Sequence, residues 1–185
     1  ERNNRPTIWW SWGPAQAINA GDGMHAMARL SIFEQQQTHG KASGPMQVSM
    51  ALQSLDRATL QVCEGEFLDI SFQERANVGV NEIEGVARRH GALYGAAAKL
   101  GGIAACANDK VLEGFEDFGT ALGTAHNLNI DLNAMWPKTG MERTEVQRSR
   151  IQSKNKSLAV AHAIESGSPS TRRRIGEIFM KRLLD

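Results

Sequence analysis

Apolar residues recur at three- and four-residue intervals through most of the chain, the spacing of helices that each bury one face. Ala15, Ile18, Met24, Met27, Ala28 and Ile32 mark a helix from Pro14 to about Gln37. Proline suits a first helical turn, where its missing N–H would have had no partner. Ahead of it stands a short aromatic segment, Ile8-Trp-Trp-Ser-Trp12, closed by Gly13. A second stripe, Val48, Ala51, Leu52, Leu55, Leu60, Cys63, Phe67 and Ile70, predicts a helix from about Met46 to Glu74. The Gly, Ser and Pro content of residues 39–45 makes the stretch between them a loop. Val78-Gly-Val-Asn81 interrupts the pattern again, with Asn81 as the expected N-cap of a helix from Glu82 to about Ala107. Asn108 or Asp109 caps the next helix, which runs to Trp136. Residues 137–152 are polar and charged and are read as a loop, and two shorter helices, about Lys154–Ser166 and Ser170–Leu184, close the chain. No strand pattern, repeat or low-complexity segment is present. The predicted class is all-α, with long helices joined by short connections, hence antiparallel neighbours in a bundle.

Composition narrows this little. A length of 185 residues suits one domain, taken as 1–185. Twenty-one basic and 20 acidic residues leave a formal charge of +1, too small a field to select nucleic acid or an anionic membrane. No apolar run reaches the roughly 18 residues of a membrane span. Cys63 and Cys106 lie inside apolar helical patterns without ligand-like spacing, and are expected to be buried thiols of a cytoplasmic protein. The chain opens without a methionine or a capping pattern, so residues are expected ahead of Glu1.

The most unusual stretch is Phe118–Trp136. Its first half carries Gly119, Ala121, Gly123 and Ala125, small enough for close helix packing. Its second half gathers side-chain amides around one acid: Asn127, Asn129, Asp131 and Asn133. Asn127 and Asp131, four apart, share one helical face. Elsewhere the bland readings lead. Trp9, Trp10 and Trp12 read as core and dimer contacts, Arg172-Arg-Arg174 as a solvated helix face, and His90 and His126 as structural more than as bases. Gly91, Gly95, Gly101 and Gly102 read as close-contact positions.

Six segments, in order, resemble the polyprenyl (isoprenyl diphosphate) synthase family. They are Arg5-Pro-Thr-Ile-Trp9 with Trp12-Gly13, Gln16-Ala-Ile-Asn-Ala-Gly-Asp22, Cys63-Glu-Gly-Glu-Phe-Leu-Asp69, Arg89-His-Gly-Ala-Leu93, Phe118-Gly-x-x-Leu-Gly-x-Ala125 and Lys154-Asn-Lys-Ser-Leu158. The resemblance implies the all-α isoprenoid synthase bundle, helices around a central prenyl-binding cavity whose mouth holds diphosphate and Mg²⁺. It also implies a fragment, with the family's first aspartate-rich motif ahead of Glu1, more helices beyond Asp185, and a homodimer packed through the helix over Ala15–Gln37. Such a site ionises an allylic diphosphate. Hard Mg²⁺ ions on carboxylates bridge to phosphate oxygens, and Arg and Lys offset the remaining charge.

By that resemblance the site residues are Asp131, Asn127 and Asp69 for catalysis, Arg2, Arg89, Glu66, Lys154 and Lys156 for substrate, and Asp131 with Asn127 for metal. The departures are as informative. The second aspartate-rich motif falls on Ile130-Asp131-Leu-Asn-Ala134, where only Asp131 remains acidic. Asn3 stands for the second of two arginines, Arg89 for a lysine, and Met141 for another lysine. Erosion of the homoallylic site at Asn3 beside Arg2, Arg89 and Asp69 favours an enzyme acting on a single prenyl diphosphate, as terpene synthases do. The alternatives are a chain-elongating prenyltransferase that condenses isopentenyl diphosphate, favoured by Gln16–Asp22 and Cys63–Asp69, and a non-catalytic prenyl-binding subunit, favoured by the lost carboxylates.

Overall fold

The computed structural model describes residues 5–38, 44–75, 77–138, 140 and 142–181. Among them are helices α1 (Ile8–Thr38), α2 (Pro45–Glu74), α3 (Val80–Ala104), α4 (Asp109–Met135), α5 (Glu145–Gln152), α6 (Leu158–Ser166) and α7 (Pro169–Met180), and no strand. The expected aromatic segment and the helix from Pro14 are the two limbs of α1, bent where Gly13 takes a φ of 85°. The loop expected over 39–45 falls mostly outside the described residues.

α2, α3 and α4 run antiparallel, and three apolar clusters mark their contacts. At one end Ala51, Ile103 and Leu112 pack together, with Ile32 of α1 against them. In the middle Ala58 meets Ala92 and Ala96. At the other end Phe72, Val78, Ile83 and Val86 enclose Ala161 of α6. The α3–α4 contact is set by glycines: a Cβ on Gly123 would sit 2.7 Å from the Gly91 Cα, so the two backbones touch there. Ala121 and Ala125, expected on that packing face, are exposed instead, because the face repeats every four residues and passes through Gly119 and Gly123.

Several boundaries move for local reasons. α3 begins at Val80, not Glu82, since the cap is Gly79, whose N–H donates to the Glu82 carboxylate at 2.9 Å. It ends at Ala104, where Cys106 adopts a φ of 55°. Cys106 N–H then reaches Ile103 O, and Ala107 N–H reaches Gly102 O, the paired closure of a helix C-terminus. α5 lies inside the predicted loop. Thr144 and Gln147 cap it reciprocally, Thr144 N–H to Gln147 Oε1 at 2.8 Å and Gln147 N–H to Thr144 Oγ1 at 3.3 Å. Of the closing helices, α6 starts at Leu158, later than the expected Lys154, and α7 at Pro169, one residue before the expected Ser170, on the hydroxyls of Ser157 and Ser168.

Both cysteines are exposed, against the expectation of core thiols. Cys63 sits on the outer side of α2 with Leu60, Phe67 and Ile70, also exposed, and Cys106 lies past the helix end. Trp9, Trp10 and Trp12 are 57%, 70% and 74% exposed, so they form no core within this chain. α1 is held instead by an ion pair between Arg29 and Asp56 of α2, and by Ile32.

Candidate functional site

The apolar cluster around Phe72 and Ile83 fixes the C-terminal end of α2 beside the N-terminal end of α3. One turn back on α2 is Asp69; one turn into the next layer, on α4, are Asn127 and Asp131. These three line a cavity of about 20 Å³, together with His90 of α3 and Lys156 of the segment before α6. Its remaining walls are Ile83, Val86 and Ala87, and its volume is that of about one water. Asn129 and Asn133 lie off this face and bond to each other, Asn133 Nδ2 to Asn129 Oδ1 at 3.0 Å. Asn127 Nδ2 donates back along its helix to Gly123 O at 3.0 Å. Ile130 and Ala134, flanking Asp131, add no donor.

His90 is nearly buried because Gly65 of α2 lets α3 approach: a Cβ there would meet His90 Cδ2 at 2.9 Å. Its Nε2 lies 3.4 Å from Glu66 Oε1, too poorly aligned for a hydrogen bond. Glu66 is therefore at the rim, mostly in solvent. Arg89, the adjacent residue, points elsewhere. It lines a separate groove of about 410 Å³ with Leu60, Cys63 and Phe67, donates to Gly85 O at 3.1 Å, and lies 3.6 Å from Glu64. Adjacent helical positions differ by about 100° in direction, which separates Arg89 from the Asp69–Asp131 cavity. Arg2 lies outside the described residues.

Lys156 is 4% exposed. Its ammonium donates to Phe72 O, which also accepts from Arg75 N–H, and to Gln73 O at 3.3 Å, carbonyls in the last turn of α2. It also lies 5.2 Å from the Phe179 ring centre. Burial pushes its pKa down, and Arg75 and Lys154 push it the same way. Lys154 has a φ of 61° and bends the chain just ahead of Asn155. Asn155, which sequence reasoning did not single out, joins the site directly. Its Nδ2 donates to Asp69 Oδ2 at 2.9 Å. A larger cavity of about 620 Å³, lined by Arg75, Glu82, Glu165, Arg172 and Phe179, shares only Lys156 with the site.

Magnesium takes about six oxygen ligands in octahedral array and keeps several of its waters. Asp69 and Asp131 are suitable donors, but the cavity leaves no room for a hydrated ion, and no group of three or more His, Cys, Asp or Glu is placed to hold a metal among the described residues. The pair assigned to metal, Asp131 with Asn127, does not fit Mg²⁺ in this arrangement. What the arrangement does offer is two carboxylates facing one water-sized space. Such a place repels a diphosphate unless a cation stands between them.

The polyprenyl synthetase family model matches residues 1–184. The (2E,6E)-farnesyl diphosphate synthase of Mycobacterium tuberculosis is 30% identical over 173 residues, 93% of this chain and 46% of its own length. The geranylgeranyl diphosphate synthase of Methanosarcina mazei is 30% identical over 169 residues, 90% and 49%. Among solved structures, the geranylgeranyl pyrophosphate synthetase of Pyrococcus horikoshii superposes with a TM-score of 0.83 at 26% identity, covering 98% of this chain and 54% of that one. The polyprenyl synthetase of Streptomyces coelicolor gives 0.80 at 28% identity, covering 97% and 50%. The chain thus spans about half the length of the curated relatives it matches. None of these four is a terpene synthase, so the single-substrate reading draws no support from them. With its helices arranged as theirs are, in the all-α isoprenoid synthase fold, the chain belongs to the polyprenyl synthetase family.

Proposed function

We propose that the protein containing this chain is a chain-elongating prenyltransferase, joining isopentenyl diphosphate to an allylic prenyl diphosphate. The observation that carries this is the likeness over nearly the whole chain to farnesyl and geranylgeranyl diphosphate synthases. In support, Asp69 and Asp131 lie in one cavity on facing helices. Residues 1–185 are one part of a single synthase domain. Asp69 and Asp131 face the charged end of the substrate and Lys154 offsets phosphate charge beside them, whereas Arg89, turned into its own groove with Glu64, stands apart from that space. Mg²⁺ is the cofactor expected for the family, and when bound it would supply charge stabilisation for the leaving diphosphate. Donors beyond those described would have to hold it.

The partner proposed is a second copy, packed through α1, whose Ile18, Met24, Met27, Leu30 and Phe33 are exposed among the described residues. No helix among the described residues is long and apolar enough to cross a membrane; the cytoplasm is the compartment proposed.

The test is incubation of the full-length protein with Mg²⁺ and geranyl or farnesyl diphosphate, with and without labelled isopentenyl diphosphate. A longer diphosphate formed only with the label is expected. A hydrocarbon or alcohol formed without isopentenyl diphosphate overturns the proposal in favour of a single-substrate enzyme. One observation favours a second reading, a non-catalytic prenyl-binding subunit: Asp131 stands between Ile130 and Ala134 with no carboxylate one turn away. Binding of the prenyl diphosphate by calorimetry, without turnover in either mixture, is the result that reading requires.

A further inference from the structure

We propose that Asn155 is a positioning residue for Asp69, helping to fix which way that carboxylate faces in the candidate site. The inference rests on the synthase reading for its catalytic consequence, and on the following geometry for the link itself.

Asp69 and Asn155 are far apart in sequence, on α2 and on the segment that precedes α6. A carboxylate only accepts hydrogen bonds, so the group that Asn155 turns toward Asp69 must be its NH₂. Nδ2 lies 2.9 Å from Asp69 Oδ2. That choice leaves Oδ1 as the acceptor end, and two donors meet it: Gln73 Nε2 at 3.0 Å and Ser153 Oγ at 2.8 Å. Turning the amide over would set its NH₂ against the Gln73 donor and its oxygen against a carboxylate. Three contacts therefore specify one orientation.

The backbone that carries Asn155 is anchored on both sides. Lys156 fastens its ammonium to the terminal carbonyls of α2, and Ser157 caps α6 through Val160 N–H. Before Asn155, Lys154 holds a left-handed φ of 61°, a conformation a lysine adopts only when its surroundings impose it. The bend turns Asn155 inward between the two lysines. Asp69, for its part, rotates about a soft terminal torsion in the absence of fixed partners. Holding one of its oxygens limits that rotation and aims the group at the space it shares with Asn127 and Asp131. Geometry of this kind governs turnover more than binding, since a misplaced group slows the chemical step by large factors.

The experiment compares full-length wild type with Asn155→Ala and Asn155→Asp. Asn155→Asp keeps shape and volume but replaces the donor with an acceptor facing Asp69. The expected result is a kcat lower by about 10- to 100-fold in both, with the KM for the prenyl diphosphate within about twofold and a cooperative unfolding transition retained. A packing role predicts instead that Asn155→Asp is tolerated. Unchanged kcat in a folded Asn155→Asp variant, or an effect on KM alone, overturns the proposal. The link has a second readout that needs no turnover, a double-mutant cycle of urea unfolding with Asn155→Ala and Asp69→Ala. Non-additive effects are expected, and additive ones overturn the link. Absence of turnover in wild type with a non-additive cycle defeats the synthase reading and keeps the Asn155–Asp69 link.

Discussion

Gly91 of α3 and Gly123 of α4 meet backbone to backbone: a side chain begun at Gly123 would lie 2.7 Å from the Gly91 Cα and 2.8 Å from the Tyr94 ring. A backbone atom cannot move aside as a flexible side chain can. Gly123→Ala should force α3 and α4 apart and destabilise the fold by about 1–3 kcal/mol. Gly114, on the same helix, has nothing within 4 Å of its added Cβ. Gly114→Ala should therefore stabilise by about 0.5–1 kcal/mol through helix propensity and a less flexible unfolded chain. Urea unfolding of the two variants checks both, and equal signs would show that the close approach does not limit packing.

Cys106 occupies the left-handed position that ends α3, where a Cβ is unfavourable and glycine is usual. Cys106→Gly should raise stability by about 0.5–1 kcal/mol, the relief outweighing the added freedom of the unfolded chain. A thermal midpoint below wild type would place the cost of that residue elsewhere.

Glu82 carries an acid-labile part of the stability. Donation from Gly79 N–H, and then from Arg75, holds its pKa below the ordinary 4.5. The folded state thus binds fewer protons than the unfolded one just below that value. The contribution is fully present above pH 4.5 and is lost as pH falls through the lower folded value. Glu82→Gln should flatten the acid limb of the stability–pH curve and leave its slope near neutrality unchanged, as measured by denaturation at a series of pH values.

Asp131→Asn keeps the shape of the side chain and removes its charge. With Asp131 as one of the two carboxylates facing the charged end of the substrate, kcat should fall about 100-fold or more while the fold is retained. An unchanged kcat would reduce Asp131 to a wall of the small cavity.

Helical periodicity was sufficient for α1–α4, since each repeats apolar or small residues over six or more turns. It was blind to α5, whose eight residues include few apolar ones and whose signal is the Thr144–Gln147 box alone. Exposure was the larger miss. Cys63, Leu60 and Phe67 obey helical spacing, but spacing identifies a face without saying that anything packs on it. At the site, the i, i+4 relation placed Asn127 and Asp131 on one face, and the structure lines the small cavity with both. It did not separate Arg89 from His90, because neighbours within a motif point in directions about 100° apart on a helix. Asn155 was hidden between two lysines whose charge drew the assignment; its contact with Asp69 spans two distant segments and leaves no local pattern.

The lean attachment of α1 has a consequence for how the chain breathes. Among the described residues its anchors to α2 include Arg29 and His25 against Asp56 and the packing of Ile32, whereas α3 and α4 interlock through their glycines. Opening free energies track such differences, so amide hydrogens along α1 should exchange with solvent long before those of α3 and α4. A partner seated on Met24, Met27 and Phe33 would then register as slowed deuterium uptake in α1 alone, a footprint readable by mass spectrometry with no assay of turnover.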